Sequence, residues 1–229
     1  MSKPIVTVII PAYNEEQSIG KVVFDIPREI VEHVIVVNNN STDSTVKVAS
    51  EAGAIVLDEP RKGYGWACLK GIEHSKKLKT DIVVFLDGDY SDYPQEIPDV
   101  INPILSQNMD MVIGSRVLGK REKGSLTPQQ IFGNWLATKL IRLFYRVKFT
   151  DLGPFRAIKS DKLELLKMSD KTYGWTIEMQ IKAAKQKMQF CEVPVNYKKR
   201  IGVSKVSGTV KGTVLAGIKI IFAVFKYRF

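Results

Sequence analysis

The first 116 residues alternate short β-branched runs with stretches of helical spacing, and few folds accommodate that rhythm. The runs 4–10 (PIVTVII), 33–39 (HVIVVNN), 54–59 (AIVLDE), 81–87 (DIVVFLD) and 110–116 (DMVIGSR) predict strands. Their nearly unbroken apolar character predicts burial on both faces, as in a parallel sheet covered by helices. Between them, 14–26, 41–53, 65–78 and 94–105 read as helices, with starts at Asn14, at Ser41 or Thr42, and at Pro94. The expected class is α/β: a doubly wound, mostly parallel central sheet flanked by helices. Ligands of such sheets sit beyond the carboxyl ends of the strands, where the polar clusters 11–15, 38–43 and 87–92 fall.

From residue 117 the texture changes. A helix over 128–147 places Ile131, Trp135, Leu136, Leu140, Leu143, Phe144 and Val147 at mostly helical spacing. A turn, short strand and helix follow over 151–167, then a helix over 173–186 and a strand over 189–200. A Gly/Ser/Lys-rich loop (200–208) leads into a terminal amphipathic helix. With no internal repeat or linker, 1–229 reads as a single domain. Cys68 and Cys191 lie far apart without CxxC or His-rich context, which argues against a disulfide framework or zinc and suits a reducing compartment. No signal peptide and no apolar run of about 18 residues is visible, so a cytoplasmic chain without a spanning helix is expected.

Net charge is +10, from 34 basic against 24 acidic residues, and the basic residues gather from Arg116 onward. Such an excess suits phosphate-rich partners. Nucleic acid is disfavoured, because no binding motif is present and the acidic 87–92 stretch would repel phosphate without a metal. An anionic membrane surface fits better: helix 128–147 carries Lys139, Arg142 and Arg146, and the tail sets Val214, Leu215, Ile218, Phe222 and Phe225 beside Lys211, Lys219, Lys226 and Arg228. Core packing is the plain alternative for both stripes.

The most telling chemistry lies in VVFLDGDYSDYP (83–94). In an extended strand end, residues two apart share a face, so Asp87 and Asp89 are expected to point the same way. Two carboxylates there repel unless a hard cation with oxygen ligands sits between them and an incoming diphosphate. A polar turn after a strand is the bland alternative.

Taken together, VIIPAYNEEQSI, VVNNNSTDST, RKGYGWACLKGI, FLDGDYSDYP, VIGSR, TDLGPFRAI, YGWTIEMQ and VSKVSGT resemble a family 2 glycosyltransferase with the GT-A (Rossmann-like) fold. The branch most like this chain holds the dolichyl- and polyprenyl-phosphate mannosyl- and glucosyltransferases. The resemblance implies a nucleotide-sugar-binding half (1–116) and an acceptor-binding half (117–229). It implies inverting transfer of a hexose from a nucleoside diphosphate sugar, UDP-glucose or GDP-mannose, to a polyprenyl phosphate at the inner face of a membrane, with Mg2+ or Mn2+.

Residue by residue, Pro11, Ala12, Tyr13 and Glu15 would line the nucleoside, with Tyr13 flat against the base. A helix N-cap at Asn14 is the simpler account of the neighbouring polar residues. Asn38 and Asn39 stand where relatives carry Asp to read the base edge; an amide both donates and accepts, whereas a carboxylate only accepts. Asp43 would cap the following helix. Arg61 and Lys62, beside two glycines, would flank the nucleoside. Asp89 is assigned to the metal, and Asp87, with Gly88, to the ribose or the metal's outer sphere. Ser91, where similar enzymes carry Gln, would act through water, and Asp92 is a spare ligand. Arg116 resembles the family's acceptor-phosphate arginine; a second basic residue is expected near 131, where this chain has Ile131, so that partner is missing or replaced by Lys139. Arg156 and Lys205 are further candidates for binding phosphate, and Lys205 would cross the site on a flexible loop to pair with the donor diphosphate. Trp175 could pack on the sugar and Glu178 bind its hydroxyls. With a soluble or glycan hydroxyl acceptor, Glu178 would become the general base.

Overall fold

Successive residues of each strand enter opposite cores, as the two-residue strand period requires. In β1 (Val6–Ala12), Val8 and Ile10 face one apolar cluster and Ile9 the other. The computed structural model describes residues 3–202 and 222–227. Its sheet comprises β1, β2 (His33–Asn38), β3 (Ile55–Asp58), β4 (Ile82–Phe85), β5 (Met111–Ser115), β6 (Arg156–Lys159) and β7 (Phe190–Pro194), in the order β3-β2-β1-β4-β6-β5-β7. All neighbours are parallel except β6, which runs antiparallel between β4 and β5.

One face is covered by α1 (Ile19–Phe24), α2 (Thr45–Glu51) and α4 (Ile97–Gln107), which bury Val22, Val23, Ala49, Ile97, Val100, Ile101 and Ile104. On the other face lie α3 (Tyr64–Lys77), α5 (Pro128–Tyr145), α6 (Ser160–Leu166) and α7 (Trp175–Lys185). The five predicted early strands all form; β1 is shifted two residues forward and the other four are trimmed at one or both ends. The alternation therefore reported the α/β architecture faithfully.

A helical turn opens at Pro94 as expected and runs into α4, but the earlier starts differ from expectation. Asn14 is not an N-cap: it sits at φ 53°, and α1 begins after Ser18. Its N–H donates to Ser41 Oγ at 3.0 Å, and its Oδ1 accepts from Thr42 N at 2.8 Å. Asp43 takes Thr45 N at 3.0 Å and Glu16 N at 3.2 Å, so it stitches the 14–16 and 41–45 loops together while holding the first turn of α2. By contrast α5 starts where Thr127, Pro128 and Gln130 demand it, with a reciprocal capping box. Only one side of α5 is packed: Ala137, Thr138 and Ile141 are buried, while Ile131, Phe132, Trp135 and Leu143 are exposed. Of the predicted tail helix, 222–226 is helical and packs against α5, with the Phe225 ring 5.1 Å from that of Phe144. The remainder, including Lys205, lies outside the described residues.

Candidate active site

The acidic stretch caps the carboxyl end of β4, at the centre of the sheet. The strand ends at Phe85, and Gly88 and Asp89 lie in a turn that Tyr90 completes at φ 62°. The extended geometry expected for Asp87 and Asp89 is therefore corrected to a turn. The two carboxylates still sense each other: burial, then the charge of Asp89, pushes the Asp87 carboxyl up to about 6, against the pull of Arg200. Asp89 is 2% exposed; its Oδ1 accepts from the Ser91 N–H at 2.9 Å and from Ser91 Oγ, and its Oδ2 is paired with Arg200. Ser91 thus braces Asp89 in place of offering a free hydroxyl. Asp92 is equally buried, and neither of its oxygens has a hydrogen-bond partner among the described residues. Burial, then the charges of Asp87 and Asp89, holds its pKa well above the carboxylate range.

At the ends of β1 and β2 the expected nucleoside residues gather. Pro11 and Ala12 are buried in β1, and Pro11 O lies 3.4 Å from the place of a Cβ on Gly88. Tyr13 is half-buried beneath Lys62, whose Nζ stands 5.4 Å from the ring centroid. Glu15 accepts from Ser18 Oγ at 3.0 Å. Asn39 is spent on architecture: Nδ2 donates to Glu59 O and Arg61 O, and Oδ1 accepts from Gly63 N at 2.8 Å. Asn38 donates to Asp58 Oδ1 at 2.8 Å and accepts from Ser41 N. The two glycines of the 61–65 loop do not wait for a ligand. A Cβ on Gly63 would lie 2.2 Å from Lys171 O, and one on Gly65 2.1 Å from Asp170 O, so both exist to pass their own chain.

The cations divide into fixed and provisional. Arg116 N and Nε each donate to Asp151 Oδ2 at 2.8 Å, and Nη2 donates to Oδ1 at 2.7 Å. Burial works against both charges, but the pair outweighs it, raising the arginine and lowering the acid. The Tyr197 ring lies 5.0 Å from the Arg116 guanidinium, and its backbone forms an antiparallel β-bridge with Asp92. Arg156 is 1% exposed and ties Thr176 O, Leu152 O and Gly153 O, so it braces the 152–153 turn; burial lowers its pKa to about 10.

Two expectations are overturned here. Trp175 cannot pack on a sugar, because it is 1% exposed and meets Phe85 edge-on at 6.1 Å. Glu178 is wholly buried, and its carboxylate accepts from Ser169 N, Ser169 Oγ, Asp170 N and Lys182 Nζ. Burial would raise its pKa, but these donors, Lys182 first, bring it below the ordinary value, so Glu178 is not free to act as a base.

Arg200, Asp151 and Tyr197 escaped the sequence reading. Arg200 belongs to a basic run (KKR) that looked like the end of a strand, and it meets Asp89 across 111 positions. No local pattern announces such a contact.

An oxygen-only donor set, an orphaned buried carboxylate and a cation already seated on Asp89 fit a hard divalent ion. As they stand, no three acidic, His or Cys side chains among the described residues are grouped closely enough to hold one. The sheet order, with an acidic turn at its centre, defines a GT-A protein. The profile of Glycosyl transferase family 2 matches residues 7–166, and the chain belongs to that family. An uncharacterized glycosyltransferase of Mycobacterium tuberculosis is 33% identical over 219 residues, covering 94% of this chain and 96% of its own. The UDP-N-acetylglucosamine–dolichyl-phosphate N-acetylglucosaminyltransferase of Methanococcus voltae is 28% identical, over 85% of this chain and 86% of its own. Glucosyl-3-phosphoglycerate synthase from M. tuberculosis, solved with Mn2+, UDP and phosphoglyceric acid, shares the fold with a TM-score of 0.78 at 22% identity, over 98% of this chain and 78% of that one.

Proposed function

We propose that this glycosyltransferase moves a hexose from a nucleoside diphosphate sugar to a polyprenyl phosphate at a membrane surface, with Mg2+ or Mn2+. One observation carries the acceptor class. A guanidinium fixed by Asp151 stands over Tyr197, whose backbone pairs with Asp92 of the acidic stretch, while Glu178, the base expected for a hydroxyl acceptor, is locked away. A hydroxyl acceptor needs a base within reach; an anionic phosphate does not, and needs a cation instead. The M. voltae relative, a dolichyl-phosphate N-acetylglucosaminyltransferase, supports the same choice.

Asp89, with Asp87, would hold the ion. When bound, it would neutralise charge developing on the leaving diphosphate. Tyr13 and Lys62 border the nucleoside, Asn38 and Asn39 keep the loop edges in register, and Arg116 holds the attacking phosphate oxygen. Exposed Ile131, Phe132, Trp135 and Leu143 beside exposed Lys139, Arg142 and Arg146 support α5 lying on an anionic membrane at its cytoplasmic face. Among the described residues no helix is long and apolar enough to cross a membrane.

A phosphorylated soluble acceptor is the second reading, since the same Arg116 would serve it. The test supplies labelled UDP-glucose, GDP-mannose or UDP-N-acetylglucosamine with Mn2+, and either polyprenyl phosphate or phosphoglycerate. Transfer to the lipid, reduced about 100-fold or more in a folded Asp89→Ala variant, is expected. No transfer from any donor to lipid overturns the proposal.

A further inference from the structure

Asp89 has no uncommitted oxygen. Ser91 takes Oδ1 with two donors from two residues away, and Arg200 takes Oδ2. An ion approaching Asp89 therefore meets two donors on one oxygen and a guanidinium charge on the other. The two arginines near the turn differ in kind. Arg116 closes a bidentate fork on Asp151, reinforced by its own backbone N–H. Among the described residues Arg200 makes a single Nη2 contact to Asp89, and its buried Nε has no partner. A half-used fork is held less tightly than a closed one. The backbone around it is anchored separately: Lys198 N donates to Ser91 O and Ile201 N to Asp89 O, both at 2.9 Å. The side chain can thus leave while the segment stays.

We propose that Arg200 is a built-in counter-cation for Asp89, occupying that carboxylate while no divalent ion is bound and yielding it when one arrives. Asp87, Asp89 and Asp92 crowd one turn, and the nearest other guanidinium is already matched by Asp151. Without Arg200 the ion-free turn would carry unbalanced negative charge. The proposal rests on the metal-dependent reading above, and it predicts an effect opposite to that of losing a ligand.

Mn2+ binding to the full chain, without nucleotide or acceptor, tests it by electron paramagnetic resonance of the free ion. Arg200→Gln should bind Mn2+ roughly 10-fold more tightly than wild type, the scale of one hydrogen bond to a charged group. Arg200→Lys, which keeps a cation at the site, should fall between, and Asp89→Asn should erase the gain in either background. Unchanged or weaker binding in Arg200→Gln overturns the proposal, as does equality of Arg200→Lys with wild type should the Gln variant not fold. A chain that transfers no sugar yet shows the gain keeps this inference and sinks the transfer reading. One that transfers normally without the gain does the reverse.

Discussion

Replacing Asp151 by Asn tests whether the Arg116 anchor is as strong as its geometry implies. The side chains are 13% and 1% exposed, so the ion pair is nearly dry. Removing one member of a buried pair costs about 3–5 kcal/mol, because the other charge is left uncompensated. Asn keeps one oxygen, and the Tyr197 ring 5.0 Å away still faces the guanidinium, so the lower end applies, about 3 kcal/mol. For a chain of this size that corresponds to a fall in Tm of roughly 6–12 °C. Urea unfolding followed by circular dichroism measures the first quantity and calorimetry the second. The Asp151 pKa is lowered in the folded protein, so its contribution is present above the ordinary carboxylate range and lost as pH falls through the lowered value. The gap between wild type and variant should therefore close only in acid. Kinetically, the acceptor KM should rise while the donor KM holds. A loss under about 1 kcal/mol, the scale of a solvated pair, would refute the reasoning.

Asp87 carries the opposite sign: its carboxyl is raised to about 6, so its ionisation costs stability above that pH and nothing below the usual carboxylate range. Metal-free Asp87→Asn should be the more stable protein at pH 8, by on the order of 2 kcal/mol, with the difference vanishing near pH 4; a pH-independent difference in thermal scans contradicts this. Glu178→Gln should lose about 1–3 kcal/mol as Lys182 and the 169–170 amides lose a charged acceptor. Turnover per folded molecule should hold, and a collapse in that quantity would return Glu178 to the role of base.

Periodicity made the sheet legible because a strand buried on both faces must be apolar almost throughout, and five runs obeyed. It also located the acidic turn, since the place where an apolar run meets Asp87 is visible in the chain itself. Conformation at that turn was not visible: the chain leaves the strand at Phe85 and turns at Gly88 and Asp89, which breaks the two-residue period assumed for Asp87 and Asp89. Roles assigned one residue at a time fared worst where packing decides. Trp175 and Glu178 sit one turn apart on α7, and both are consumed by the interior, Trp175 by Phe85 and Glu178 by the start of the 169–174 loop. The partners that matter to Arg116 and Asp89 come from 35 and 111 positions away, and composition carries no trace of such distances.

The reversed strand β6 has a consequence for engineering. Because it is wedged between β4 and β5, it joins two strands from the front of the chain with a strand supplied by the back. Cutting after residue 116 would strip both neighbours of their ladder at once and leave two open edges in the middle of the sheet. Chimaeras that join the first 116 residues of one such chain to the remainder of another must therefore match a hydrogen-bond register across β4, β6 and β5.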